Sequence, residues 1–225
     1  MKLKPSYRYD IVQNSEEWMQ ERVRRIGASN AADLLMPKTT KGYQNLKDRL
    51  VEETITGIET ESKKFFGNAY TERGHEFEPI AREDFEFRTL ESVEIVGMVI
   101  LDEWSHCSPD GLIGKDTLHQ IKCPIFNTQK KYLSIVNDDK TRAEKYRLSD
   151  NDLLKKIDTG YYKQLQYELY VSDRKVNIWT SFHPNLPAID LNIVRDEDMI
   201  FNIENSLKEI KAEVLKEVEQ IKLLK

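Results

Sequence analysis

Two short apolar runs either side of Gly114-Lys115-Asp116 constrain this 225-residue chain more than any other feature. Ser108-Pro109-Asp110-Gly111-Leu112 leads into the turn, and Gln120-Ile121-Lys122-Cys123-Pro124 comes out of it. Turn residues between two such runs predict a hairpin centred near Lys115, with Asp110 opposite Gln120. Alternate side chains of a strand share a face, so Gln120 and Lys122 point one way and Ile121 points to the buried side. An acid, an amide and an ammonium then converge.

That group has the donors for a hard divalent cation. Mg²⁺ takes oxygen ligands, and Asp110, the side-chain oxygen of Gln120 and the main-chain carbonyl of Ile121 would form half a shell. An ion there polarises a phosphate and lowers the pKa of a bound water, while Lys122 orients that water or offsets transition-state charge. The plainer alternative is a surface hairpin with one turn aspartate and one solvated lysine, since Pro-Asp-Gly is a common turn tripeptide. A preceding helix shifts the weighing. Residues 68–88 carry Phe77, Ile80, Ala81 and Phe85 at helical spacing, with Glu76 and Glu78 among them. A carboxylate there is either a third ligand or a solvated face residue. Pro79 predicts a kink or a helix start near Glu78 rather than an uninterrupted rod.

Arg73-Gly74-His75-Glu76-Phe77-Glu78-Pro79-Ile80-Ala81-Arg82, then Cys107 to Leu112, then Ile121-Lys122-Cys123-Pro124, resemble the phage lambda exonuclease family, or YqaJ-like viral recombinases, within the PD-(D/E)XK nuclease superfamily. Glu17-Trp18-Met19-Gln20-Glu21-Arg22 with Gly27-Ala28-Ser29 matches the family's Trp-x-x-x-Arg and Ala-Ser segment. Tyr162-Lys163-Gln164-Leu165-Gln166-Tyr167 matches its Gln-x-Gln-Tyr helix. The four blocks run in order over roughly residues 15–185, which makes the match specific. The resemblance implies an α/β fold with a restriction-endonuclease-like core, a central mixed β-sheet flanked by helices. It implies Mg²⁺-dependent degradation of linear double-stranded DNA from a 5′-phosphorylated end, Mn²⁺ being a substitute ion. The product is a 3′ single-stranded tail, handed to a single-strand annealing protein, and the enzyme is a toroidal homotrimer.

By position, the resemblance makes Asp110 the bridging metal ligand, Glu78 a second carboxylate, Lys122 the catalytic lysine and Gln164 a residue lining the site. Arg22 and Ser29 match the pocket for the terminal phosphate. Ser29 also has a physical case of its own, at the start of a helix through Ala31, Leu34 and Leu35 whose free amides favour an anion; simple N-capping is the alternative.

Gln120 departs from the family, which has Glu there. An amide keeps the shape and one oxygen but removes a full negative charge from the ion's ligand shell. If a direct ligand supplies a few kcal/mol in the transition state, the loss is on the order of 10²-fold or more. Two explanations stand: an inactivated form that holds DNA intact, or a member whose other ligands compensate. The retention of everything else around the site favours the first.

Charge bears on the same question. The formal net charge is −5 and the pI about 5.6, against a DNA partner at first sight, but distribution matters more than the total. Basic residues gather at Arg22, Arg24 and Arg25, at Lys38, Lys41, Lys47 and Arg49, at Lys130 and Lys131, and at Lys140, Arg142, Lys145 and Arg147. They line a channel under the resemblance, and are ordinary solvated faces without it. No apolar run approaches the ~20 residues of a membrane span, and Met1-Lys2-Leu3-Lys4-Pro5 lacks the apolar stretch of a secretion signal, so a cytoplasmic protein of a bacterial host, without membrane partners, is expected. Cys107 and Cys123 read as small apolar residues that stay reduced. None of His75, His106, His119 and His183 has zinc-site spacing.

The layout expected is one nuclease domain over 1–225. A helix starts at Asn14-Ser15-Glu16-Glu17 with Asn14 capping, and another covers 43–56. Strands fall at 92–101, 107–113, 117–123, 174–182 and 189–195, and a helix follows Pro124. Residues 137–152 read as a mobile connection. The segment 197–225 is a helix whose Ile200, Ile203, Leu207, Ile210, Val214, Val218 and Ile221 form one stripe, expected to pack on its own domain. Tyr43, Phe66 and Tyr70 are either DNA-end stacking residues or core. Two function classes remain open, an end-resecting exonuclease and a non-cleaving DNA-end-binding or recruitment protein on a nuclease fold. A structure-specific endonuclease is a third, which the Arg22 and Ser29 blocks disfavour.

Overall fold

The computed structural model describes residues 3–60, 69–140 and 143–224. Its centre is a five-stranded mixed sheet with helices on both faces. The strands are β2 (Val93–Glu94), β5 (Gly111–Ile113), β6 (Thr117–Lys122), β7 (Val176–His183) and β8 (Leu186–Val194), in that spatial order. Only the β6–β7 pair is parallel, Gln120 lying beside Trp179. A smaller antiparallel sheet orders β1 (Ser6–Arg8), β3 (Met98–Ile100) and β4 (His106–Cys107).

Side-chain alternation assigns the two faces. Ile121 and Phe182 pack with Ala81 of helix α4 (Ala69–Thr89), and Phe85 of the same helix meets Val93 and Ile113. On the other face Trp179, Ile189, Leu191 and Ile193 pack under α5 (Phe126–Lys140), α6 (Asp150–Ile157) and α7 (Thr159–Ser172). These three helices form the long crossover that a parallel pair needs. Helices α1 (Glu16–Glu21), α2 (Ala31–Leu34), α3 (Lys41–Thr56) and α8 (Glu197–Lys222) complete the chain. The α8 stripe from Ile200 to Val218 is buried against α2, α3 and α7, as its periodicity requires, and Ile221 packs at the edge of that cluster.

Several expectations change. Residues 92–101 and 107–113 each split between the two sheets, because Gly97 and Pro109 lie where the chain passes from one to the other. Pro79 lies inside one continuous α4 rather than starting or breaking it. Its missing N–H faces the exposed side, where water can serve the freed carbonyl. Ser15, not Asn14, caps α1 by accepting from Trp18 N, and Asn14 adopts φ +67°. Asn137 to Lys140 are the last turn of α5, and Asp139 is buried, accepting from Leu148 N at 3.1 Å; a 3-10 turn then covers Glu144–Tyr146. Tyr43 is core, its hydroxyl donating to Glu213. Phe66 and Arg142 lie outside the described residues, as do the side chains of Tyr70 and Lys145.

Candidate active site

The hairpin forms with the expected register, Gly111 beside His119 and Ile113 beside Thr117. Gly114 turns it with φ +52°, a region that glycine enters without steric cost. Asp110 therefore faces Gln120, and both contacts of its Oδ2 come from β6: Gln120 Nε2 donates at 2.5 Å and Ile121 N at 2.6 Å. The amide N–H thus takes a lone pair that a cation would otherwise meet, while Gln120 Oε1 is buried without a partner.

Asp110, Gln120, Ile121 and Lys122 line one side of a cavity of about 440 Å³. Gly74, His75 and Glu78 of α4 and Tyr161 of α7 line it too. The Lys122 ammonium lies 5.4 Å from the Tyr161 ring centre. Glu78 is bound to Arg82 at 2.7 Å, and Arg82 also donates to the Asp110 carbonyl at 3.2 Å, which ties α4 to the hairpin. Glu76 points away to solvent. Burial raises the Asp110 carboxyl above its usual range; the Lys122 charge opposes that and Glu78 adds to it. Burial likewise pushes the Cys123 thiol up to about 12.

A second cavity of about 230 Å³ opens on the other side of Asp110. Arg22, Ser29, Gln164 and Glu168 line it, along with Glu78 and His75. Arg22 is stacked on Trp18, 4.1 Å from the ring centre, and its Nε is buried without a partner. Burial lowers its pKa. Trp18 Nε1 in turn donates to Ser108 Oγ at 3.0 Å, linking the first sequence block to the hairpin. Ser29 sits exposed in the 3-10 turn Ala28–Asn30 ahead of α2, and no side chain caps either helix there. A Cβ on Gly27 would come within 2.9 Å of the His106 ring, so only glycine lets this turn approach so closely. Tyr167 on α7 donates to the Ile26 carbonyl at 2.7 Å and tethers the segment leading into it, which is bridged to Ser105.

Within the Gln-x-Gln-Tyr block the roles divide by helix face. Gln164 faces the cavity, whereas Gln166 is buried and bonds to Val194 O and Asp196 N. The basic runs divide too. Lys38 pairs with Glu209 and Glu213 at the surface, Lys47 with Glu217 and Arg49 with Glu53, so each of these cations already has a carboxylate partner within the chain.

Sequence reasoning missed Glu168, Tyr161 and the closeness of His75. Glu168 is 1% exposed, accepts from Gln164 Nε2 at 2.9 Å and Asn177 Nδ2 at 2.7 Å, and is raised in pKa by burial. Its signal was present: it stands one helical turn after Gln164, on the same face.

Among the described residues no group of three His, Cys, Asp or Glu is arranged to hold a metal ion. The oxygens present still suit a hard cation once the Gln120 amide turns over, because its unpartnered Oε1 would then join Asp110.

A model of the YqaJ-like viral recombinase domain matches residues 17–175. The chain belongs to that family. As a YqaJ-like protein it is similar to the alkaline exonuclease LHK-Exo of Laribacter hongkongensis, with 27% identity and a TM-score of 0.72, over 92% of this chain and 96% of that one. LHK-Exo is also known in complex with dAMP, and that structure matches equally well. A phage-related exonuclease from Haemophilus somnus 129PT shares the fold, with 13% identity and a TM-score of 0.65 over 88% and 96% of the two chains. No curated protein sequence matches. The five-stranded mixed sheet flanked by helices is the architecture of these exonucleases, and the YqaJ-like chain is a nuclease of the lambda exonuclease type. Exonucleases of this kind generally use divalent metal ions and act on DNA. No helix among the described residues is long and apolar enough to cross a membrane.

Proposed function

We propose that this chain degrades linear double-stranded DNA from 5′-phosphorylated ends in the 5′-to-3′ direction, with Mg²⁺ or Mn²⁺, leaving 3′ single-stranded tails. The observation that carries this reading is the pair of cavities meeting at Asp110: one holds Gln120 and Lys122, the other Arg22, Ser29 and Gln164. Both halves of an end-directed hydrolase, a phosphate anchor and a charged reaction centre, thus share the Asp110 and Glu78 carboxylates.

Asp110, Glu78, the Gln120 amide oxygen and the Ile121 carbonyl would hold the cation, whose contribution when bound is Lewis-acid polarisation of the phosphate and a more acidic water. Arg22, half-buried with its Nε lacking an acceptor, binds the terminal phosphate with the Ser29 hydroxyl and the amides of its turn. That anchor sets which phosphodiester lies beside Asp110. Lys122, half-buried over the Tyr161 ring, offsets negative charge developing on the attacked phosphate. Gln164 contributes an amide to the cavity that holds Arg22 and Ser29. The dAMP seen with LHK-Exo supports a 5′-mononucleotide as product.

A single domain, a toroidal trimer, a single-strand annealing partner and the cytoplasm of a bacterial host belong to the same reading. The non-cleaving, end-holding alternative is favoured by one observation, the Gln120 N–H on Asp110. Linear duplex with 5′-phosphates, incubated with and without Mg²⁺ with this chain, with Gln120→Glu and with Asp110→Asn, separates the two. Mg²⁺-dependent nucleotide release by this chain, lost in Asp110→Asn, supports the exonuclease. End binding without release by this chain and by Gln120→Glu supports the alternative. Release by Gln120→Glu alone means the amide has silenced the site.

A further inference from the structure

We propose that Glu168 on α7 supplies the carboxylate that β6 lacks at position 120, joining Asp110 in holding the divalent cation. This rests on the nuclease reading above and goes beyond it. Glu168 is 1% exposed and lines the same cavity as Asp110 and Glu78. Its hydrogen-bond partners are two neutral amides, Gln164 and Asn177. A carboxylate withdrawn from water without a bonded counter-charge is costly, and a cation in the cavity removes that cost.

A second observation is independent of the acids. Gln120 is 3% exposed, lines the cavity on the Lys122 side of Asp110, and its Oε1 meets no donor. Asn177, wholly buried beside Glu168, also has an orphaned carbonyl oxygen, Oδ1. Oxygens without donors, flanked by carboxylates, are what a hard cation seeks. Charge counting points the same way. Glu78 still offers an oxygen, but its charge is offset by Arg82, so with glutamine at 120 Asp110 alone brings a carboxylate charge without an ion pair to that shell unless Glu168 is included. Its place one helical turn after Gln164 puts it on the wall of the cavity that it shares with Asp110 and Glu78.

Mn²⁺ binding to the full chain without DNA, followed by electron paramagnetic resonance and calorimetry, tests this apart from activity. Expected is binding by this chain, a loss of about tenfold or more in Glu168→Gln, retention within a few-fold in Glu168→Asp, and recovery when Gln120→Glu is added to Glu168→Gln. Unchanged Mn²⁺ affinity in Glu168→Gln overturns the proposal, as does binding by Gln120→Glu when the unaltered chain binds none. Should Glu168→Gln fail to fold, the single change Gln120→Glu decides: a rise of only a few-fold supports Glu168 as the compensating group, and a rise of about 100-fold overturns it. Asp110→Asn keeps the two readings separable. If it abolishes Mn²⁺ binding and DNA digestion while Glu168→Gln changes neither, the nuclease reading stands and this inference alone falls.

Discussion

The contact between Gln120 Nε2 and Asp110 Oδ2 at 2.5 Å sets what this site does without an ion. A carboxylate at 120 would repel Asp110 and demand a cation between them; the amide donates a proton instead and satisfies the aspartate by itself. Gln120→Glu should therefore raise Mg²⁺-dependent digestion and also make the folded chain depend on the ion, with thermal stability rising on addition of Mg²⁺ more than in the unaltered protein. Melting curves with and without the ion read this directly, and equal shifts in both proteins would sink it. Arg22 makes a different kind of prediction. Its stacked, half-buried guanidinium has an Nε without an acceptor, so Arg22→Ala should abolish preference for 5′-phosphate over 5′-hydroxyl ends. The loss on phosphorylated ends should be on the order of 10²-fold in kcat/KM, with 5′-hydroxyl ends little changed.

At the scale of elements, α7 gathers the parts of the site. One face carries Gln164 and Glu168 to the cavities, and another carries Tyr167 to the carbonyl of Ile26, which leads into the Ser29 turn. Tyr167→Phe should cost about 1 kcal/mol in urea unfolding, the net worth of one hydrogen bond. It should also weaken discrimination for the terminal phosphate, because the turn loses its tether; a stability loss with end discrimination intact would confine Tyr167 to packing. Of this helix, the Gln-x-Gln-Tyr pattern was legible in sequence, and which glutamine lines the site came from the resemblance rather than from the pattern itself. The pattern is the same whichever way the helix is rolled, and only Leu165 and Leu169 meeting the core determine the roll. The hairpin was fully legible, since a Gly114 turn and strict alternation leave one register. The strands at 92–101 and 107–113 were not. Their apolar content was read correctly, but which of two sheets each half joins depends on distant partners such as Ser6–Arg8 and Val93.

For the molecule as a whole, two buried groups act on acid stability in opposite senses: His119 lowers it as pH falls, whereas the Asp110 carboxyl, raised by burial to about 7, raises it. His119 is buried between Phe85 and Thr180, its Nδ1 without a hydrogen-bond partner, and burial lowers its pKa to about 4. The unfolded chain takes up a proton near the ordinary histidine value of about 6.5, while the folded one resists until about 4. More protons are bound in the unfolded state across that window, so stability falls as pH drops through it. The fall from this group is on the order of 3 kcal/mol. Urea unfolding from pH 7 to pH 4 should show this contribution as the difference between the unaltered chain and His119→Asn, the variant gaining in relative stability as pH drops. The sequence by itself determined the hairpin chemistry, the four ordered blocks, the α8 stripe and the departure at position 120, because each depends on residues close in the chain or on a fixed period. Only the tertiary structure decided that Arg22 and Ser29 share carboxylates with Lys122, that Lys38, Lys47 and Arg49 pair with carboxylates of the same chain, and that Glu168 enters the site. These depend on which faces of α3, α7 and α8 meet once the core closes, and burial, which no local pattern encodes, makes that choice.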